Sequence, residues 1–145
     1  MKIVLQRVLE AGIAVDGVQI SHIGKGLLVF LGVAAEDTEA NVCAMVEKIA
    51  KLRIFADADG KSNLSITDIG GEILIVSQFT LCANTQKGNR PSFIGAASPQ
   101  HANALYEYFI EYCQGKFSKT ACGVFAADMK ISLINDGPYT IILEN

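Results

Sequence analysis

The chain has 145 residues, half of them hydrophobic, with 12 Lys plus Arg against 15 Asp plus Glu and a formal net charge of −3. A chain of this length is the usual size of one domain and buries roughly two-thirds of its unfolded surface, so a single domain over residues 1–145 is expected. No apolar run reaches the roughly 18 residues that span a bilayer, the start Met1-Lys2-Ile3-Val4-Leu5-Gln6-Arg7 is charged too early for a signal peptide, and the acidic balance argues against broad neutralisation of phosphates. The expectation is a cytoplasmic protein with no membrane and no DNA partner.

Lys2 to Val15 reads as a strand with a break near Ala11-Gly12. Asp16-Gly17 is a two-residue hairpin turn, Val18 to Ile23 returns, and Gly24-Lys25-Gly26 opens the apolar strand Leu27 to Val33, which together predict an antiparallel meander. Asp37 or Thr38 caps a helix to about Lys51, since Val42, Met45, Val46, Ile49 and Leu52 recur at three- and four-residue intervals. Asp57-Ala58-Asp59-Gly60 looks like the start of a calcium loop, but the closing Glu is missing and a hairpin-like turn is the better reading.

Gly70-Gly71 leads into the run Ile73 to Leu81, a strand apolar at first and polar at its far end. The segment Cys82 to Pro99, rich in Gly, Asn and Ser, is the one connection long enough to be a functional loop. Ser98 caps a second helix with Pro99 in its first turn and an inner stripe of Ala102, Leu105, Tyr106, Phe109 and Ile110, ending near Gln114-Gly115. Strands follow near Lys119 to Phe125, Lys130 to Asn135 and Tyr139 to Leu143. The pattern predicts one compact α/β domain, a mainly antiparallel sheet or partly closed barrel with two packed helices.

Cys43, Cys82, Cys113 and Cys122 lack any Cys-x-x-Cys spacing and read as free, mostly buried thiols. His22 and His101 are isolated, so no metal and no cofactor is implied. Lys87 and Arg90, with Lys61 as a third candidate, are placed to meet one or two phosphates, although a charged loop is by default only solvated.

In a strand, alternation puts Gln78 and Thr80 on one face with Leu74 and Val76, and Ser77 and Phe79 on the other with Ile73 and Ile75. Two hydrogen-bonding side chains thus end a buried ladder, either as a site or as partners for backbone groups at a strand end. A second unusual segment is Asn135-Asp136-Gly137-Pro138-Tyr139-Thr140. No Ser-His-Asp set can be assembled from two unrelated histidines, and there is no glycine-flanked serine elbow. Read alone, these residues fit an enzyme, an inert module that binds a nucleotide end, or a structural dimer.

Ser77-Gln78-Phe79-Thr80 and Gly137-Pro138-Tyr139-Thr140 closely resemble the two hallmark motifs of the D-aminoacyl-tRNA deacylases. Gln6-Arg7-Val8, Gly26-Leu27-Leu28-Val29, Leu52-Arg53-Ile54-Phe55, Asn63-Leu64-Ser65, Lys87 to Phe93 and Ala127-Asp128-Met129 also match, in the family's order, so the resemblance covers nearly the whole chain. It implies hydrolysis of the ester of D-aminoacyl-tRNA, and of glycyl-tRNA, with no cofactor. It further implies a homodimer in which a cis Gly137-Pro138 enters the partner's site and rejects L-aminoacyl esters, the tRNA 3′ aminoacyl-adenosine end being the partner. Backbone donors at Phe79 and Thr80 would serve catalysis, while Ser77, Gln78, Gly137, Pro138 and Arg7 bind substrate or hold the motif. Thr80 has no nearby base, which makes it a poor nucleophile and favours assistance by the substrate's 2′-hydroxyl. Tyr139 departs from the family's usual valine, and Val124 stands where a polar residue, often arginine, is usual.

Overall fold

A computed structural model describing residues 1–145 carries β1 (Lys2–Val15) unbroken through Ala11-Gly12, where a break was expected. The reason is pairing on both sides: β8 (Met129–Glu144) runs antiparallel along its whole length, while β3 (Gly26–Gly32) pairs with Lys2 to Val8 and β2 (Val18–Ile23) with Ala11 to Val15. Asp16 and Gly17 have φ of 50° and 79°, the backbone a tight primed turn demands. The predicted meander is corrected here, because β3 pairs with β1 and not with β2.

From β3 the sheet continues in parallel to β6 (Glu72–Ser77) and from there to β7 (Lys119–Cys122). The sheet is therefore mixed. β4 (Phe55–Ala56) and β5 (Ser62–Leu64) form a separate small hairpin over the Asp57-to-Gly60 turn, in which Asp57 Oδ1 accepts from the N–H groups of Asp59 and Lys61, each at 2.9 Å. The last two expected strands are one, β8, since β1 offers a continuous ladder on either side of the Gly-Pro pair.

Two helices, α1 (Glu39–Lys51) and α2 (Pro99–Cys113), cover one face of the sheet. Thr38 precedes α1, its N–H bonded to Asn41 Oδ1 at 2.9 Å, and Ser98 Oγ accepts from His101 N–H at 3.3 Å at the start of α2. Val42, Met45, Val46 and Ile49 from α1 and Leu105, Tyr106 and Phe109 from α2 are buried against Leu27, Val29, Ile73 and Ile75. A second, smaller core on the other face contains Val8, Ile13, Ile23, Leu28, Leu74 and Val76. Alternate residues of β6 thus enter different cores, which is why Ile73 to Val76 is an unbroken apolar run. All four cysteines are free, with Cys113 buried and the others half-buried.

Candidate functional site

Where β6 leaves the sheet, a cavity of about 540 Å³ opens between its end, the start of α2 and the connection into β8. Leu31 and Val76 from the strands, Ala102 and Tyr106 from α2, and Phe125 and Met129 from the connection make its walls largely apolar. Ser77, Gln78 and Phe79 form one side. Tyr106 is fully buried, its hydroxyl 3.0 Å from the Ile75 carbonyl and 3.1 Å from that of Gly123. Burial drives its pKa upward, so the phenol stays protonated and donating across the neutral range. Ala126, on the cavity wall, has a φ of 61°, a left-handed conformation that a non-glycine residue adopts at a cost of about 1 kcal/mol.

The polar end of β6 is not the strand the sequence predicts. β6 stops at Ser77, and Phe79–Cys82 forms a 3₁₀ turn, because the Leu31 carbonyl captures the Gln78 N–H at 2.7 Å and Gln78 leaves the extended region, with a ψ of 79°. The turn closes through Leu81 N–H to the Gln78 carbonyl, 3.2 Å, and Ala83 N–H to that of Thr80, 3.1 Å. Gln78 and Thr80 still meet, Gln78 Nε2 donating to Thr80 Oγ1 at 2.6 Å. Gly32 makes the close approach possible: a Cβ there would lie 2.9 Å from Leu81 Cβ and 3.1 Å from the Gln78 carbonyl oxygen.

The second segment bulges from β8. Two steps along β1, from Gln6 to Val8, are matched by five along β8, from Asn135 to Thr140, which pushes Asp136, Gly137 and Pro138 out of the ladder. The Gly137-Pro138 peptide is cis, and both residues are exposed. Arg7 lies beneath: its Nε donates to the Asp136 carbonyl at 2.8 Å and lies 3.3 Å from the Asp136 carboxylate, and its Nη1 donates to the Ile54 carbonyl. The Tyr139 ring lies 4.5 Å from the guanidinium carbon and packs against the main core.

Asn135, which in the sequence only opens the unusual segment, staples the bulge. Its Oδ1 accepts from Tyr139 N–H at 2.7 Å, and its Nδ2 donates to Gln6 Oε1 at 2.9 Å and the Tyr139 carbonyl at 3.2 Å. An Asn just before Asp-Gly is the only local cue, since such amides bond nearby backbone in turns. Met129, Phe125 and Tyr106 also escaped notice as site residues, because apolar side chains in periodic elements read as core. None of residues 132–140 lines the cavity of its own chain.

Thr80 Oγ1 accepts a hydrogen bond from the Gln78 amide and touches no base. His101 Nε2 is 2.8 Å from the Asp37 carbonyl and His22 lies 4.0 Å from Glu10, both engaged elsewhere. Asp128, on the cavity edge, is paired with Lys130 at 2.7 Å. No group of three or more His, Cys, Asp or Glu side chains is arranged to hold a metal ion. Lys87 and Arg90 are exposed on the 82–99 connection, whereas Lys61 sits in the β4–β5 turn. The first N–H groups of the 3₁₀ turn, on Phe79 and Thr80, have no acceptor one turn back within it, which leaves them as donors.

The family model for D-Tyr-tRNA(Tyr) deacylase matches residues 4–144. A D-aminoacyl-tRNA deacylase of Myxococcus xanthus is 53% identical over 145 residues, covering 100% of this chain and 95% of that protein. One of Pelobacter propionicus is 51% identical over 144 residues and 99% of each chain. Among solved structures, a c-Myc DNA Unwinding Element Binding Protein superposes with a TM-score of 0.95 at 43% identity, over 100% of this chain and 99% of that one. A probable eukaryotic D-amino acid tRNA deacylase gives 0.87 at 17% identity over 98% and 97%, a likeness of fold alone.

Proposed function

The chain belongs to the D-Tyr-tRNA(Tyr) deacylase family, and from that premise we propose that it hydrolyses the ester of D-aminoacyl-tRNA to free D-amino acid and tRNA. It is a carboxylic ester hydrolase, a D-aminoacyl-tRNA deacylase. The observation that carries the reading is the cavity at the end of β6, with Ser77, Gln78 and Phe79 along one side and the free N–H groups of Phe79 and Thr80 beside it.

Ester hydrolysis needs a nucleophile, donors for the developing oxyanion and exact placement of the acyl carbon. The Phe79 and Thr80 N–H groups supply the donors. With Thr80 Oγ1 accepting from Gln78 and no base within reach, the nucleophile is water, oriented by the 2′-hydroxyl of the terminal ribose. Ser77, Gln78 and Thr80 hold the adenosine end.

Chiral rejection belongs to the bulge. Gly137 and Pro138 stand exposed and outside their own chain's cavity, so they reach a cavity only in a second copy. The protein acts as a homodimer in which each subunit's Gly137-Pro138 inserts into the partner's site and presents backbone atoms to the substrate α-carbon. An L side chain collides there; glycine has none and is accepted, so glycyl-tRNA is also cleaved. The role is chiral proofreading in translation, in the cytoplasm.

The deciding experiment is release of tyrosine from D-tyrosyl-tRNA and L-tyrosyl-tRNA side by side, with enzyme well below substrate. Turnover of the D ester alone is expected. Cleavage of both removes the filter, and stoichiometric binding without release makes the chain a binding module.

A further inference from the structure

Beside the cavity, the rings of Phe79 and Phe93 meet edge to face, centroids 5.0 Å apart at 61°, yet remain 57% and 36% exposed. Two large aromatic rings left this open side by side on the single chain mark a contact with a further molecule. Phe79 also lines the cavity, so the pair extends the site outward. Phe93 is not carried on a loose loop. Asn84 and Ser92 exchange two backbone bonds of 2.8 and 2.9 Å, and Ala35 N–H to Gly95 and Ala97 N–H to Val33 pin the following residues to the sheet.

Charge is segregated along this part of the chain. Although the chain is acidic, no Asp or Glu occurs between Glu72 and Glu107, and Lys87 and Arg90 are the only Lys or Arg in that stretch. Exposed aromatics beside cations form the chemistry that binds single-stranded nucleic acid, since bases stack on rings and phosphates pair with the cations; the carboxylate on the cavity edge, Asp128, is already paired with Lys130.

We infer that Phe79 and Phe93 form a stacking site for the base of the penultimate nucleotide of the tRNA 3′ end, with Lys87 and Arg90 meeting the adjoining phosphates. The inference rests on the deacylase reading, which places the terminal adenosine in the cavity that Phe79 borders. An edge-to-face pair leaves an outer ring face free for a base, and stacking tolerates any base, as a site serving many tRNAs requires.

The test compares two D-tyrosyl esters, one of adenosine and one of cytidylyl-(3′→5′)-adenosine. The added cytidylate is expected to raise kcat/KM by about tenfold, within the range of one base–aromatic stack. Phe93→Ala should abolish that gain while leaving the adenosine ester unchanged, Phe93→Trp should keep it, and Lys87→Ala or Arg90→Ala should flatten its salt dependence. An equal loss on both esters, no loss on either, or a Phe93→Ala protein of altered mass on size exclusion would overturn the inference, the last because the ring then serves contact with a second copy. Wild-type protein that hydrolyses neither ester but does cleave D-tyrosyl-tRNA also overturns it, since recognition then lies beyond the last two nucleotides. Failure on D-tyrosyl-tRNA as well refutes the deacylase reading itself.

Discussion

The two polar segments of this molecule are held by different means. The Ser77-to-Leu81 turn is placed by backbone: β6 is buried on both faces, Leu31 takes the Gln78 N–H, and Gly32 lets the turn lie against β3. The Asn135-to-Thr140 bulge is placed by side chains, with Arg7 beneath it, Asn135 across its neck and Tyr139 over the guanidinium. A backbone-held element tolerates side-chain change and fails when packing shifts; a side-chain-held element loses a part of its geometry with each staple. Oxyanion donors suit the first construction, a filter at the edge of β8 the second.

Gly32→Ala is the sharpest way to break the first element. Its Cβ would press on Leu81 and the Gln78 carbonyl, and a displacement of the turn by about 1 Å is expected to lower kcat/KM by about 100-fold with the fold intact by circular dichroism. Unchanged activity would mean that the turn does not position the donors.

Arg7→Ala tests the second element. Losing its bonds to the Asp136 and Ile54 carbonyls is expected to cost about 2 kcal/mol in urea unfolding, and to let L-tyrosyl-tRNA be cleaved. Retained strict D selectivity would remove Arg7 from the filter. Asn135→Ala, which leaves the Tyr139 N–H without its 2.7 Å acceptor, should cost about 1 kcal/mol and relax the D-to-L ratio less than Arg7→Ala does. Tyr139→Val trades the ring over Arg7 for the family's usual residue and should cost about 1 kcal/mol, the worth of a partly buried cation–π contact.

Thr80→Ala should have the smallest effect. Only the side-chain bond to Gln78 is lost while the N–H remains, so kcat should fall no more than about threefold, roughly 0.6 kcal/mol. A drop of several orders of magnitude with binding intact would restore Thr80 as the nucleophile.

Much of this is legible in the sequence. The Asp16-Gly17 hairpin, both helices, with Ser98 at the start of one and Asp37 or Thr38 at the start of the other, and the doubly apolar run of β6 follow from local propensity and period, which short-range sterics and burial enforce. The candidate motifs were visible because polar residues at the end of an apolar strand and a Gly-Pro pair near the C-terminus are locally unusual. What escaped was non-local. Gly24-Lys25-Gly26 is compatible with β3 lying beside β2 or across β1, and the ladder along Lys2 to Val8 decides it. Nothing in Gln78-Phe79-Thr80 announces a 3₁₀ turn, because the carbonyl that ends the strand belongs to Leu31.

The sequence by itself determined the two helices, the Asp16-Gly17 hairpin and the buried run of β6, and which residue types are available for chemistry, because those depend on neighbours a few positions apart. Tertiary structure alone decided the parallel pairing of β3, β6 and β7, the continuity of β8 through the Gly-Pro bulge, and the meeting of Arg7 with Asp136 and Tyr139. Those contacts join residues far apart along the chain, and their energies appear only once the two cores have closed around β6.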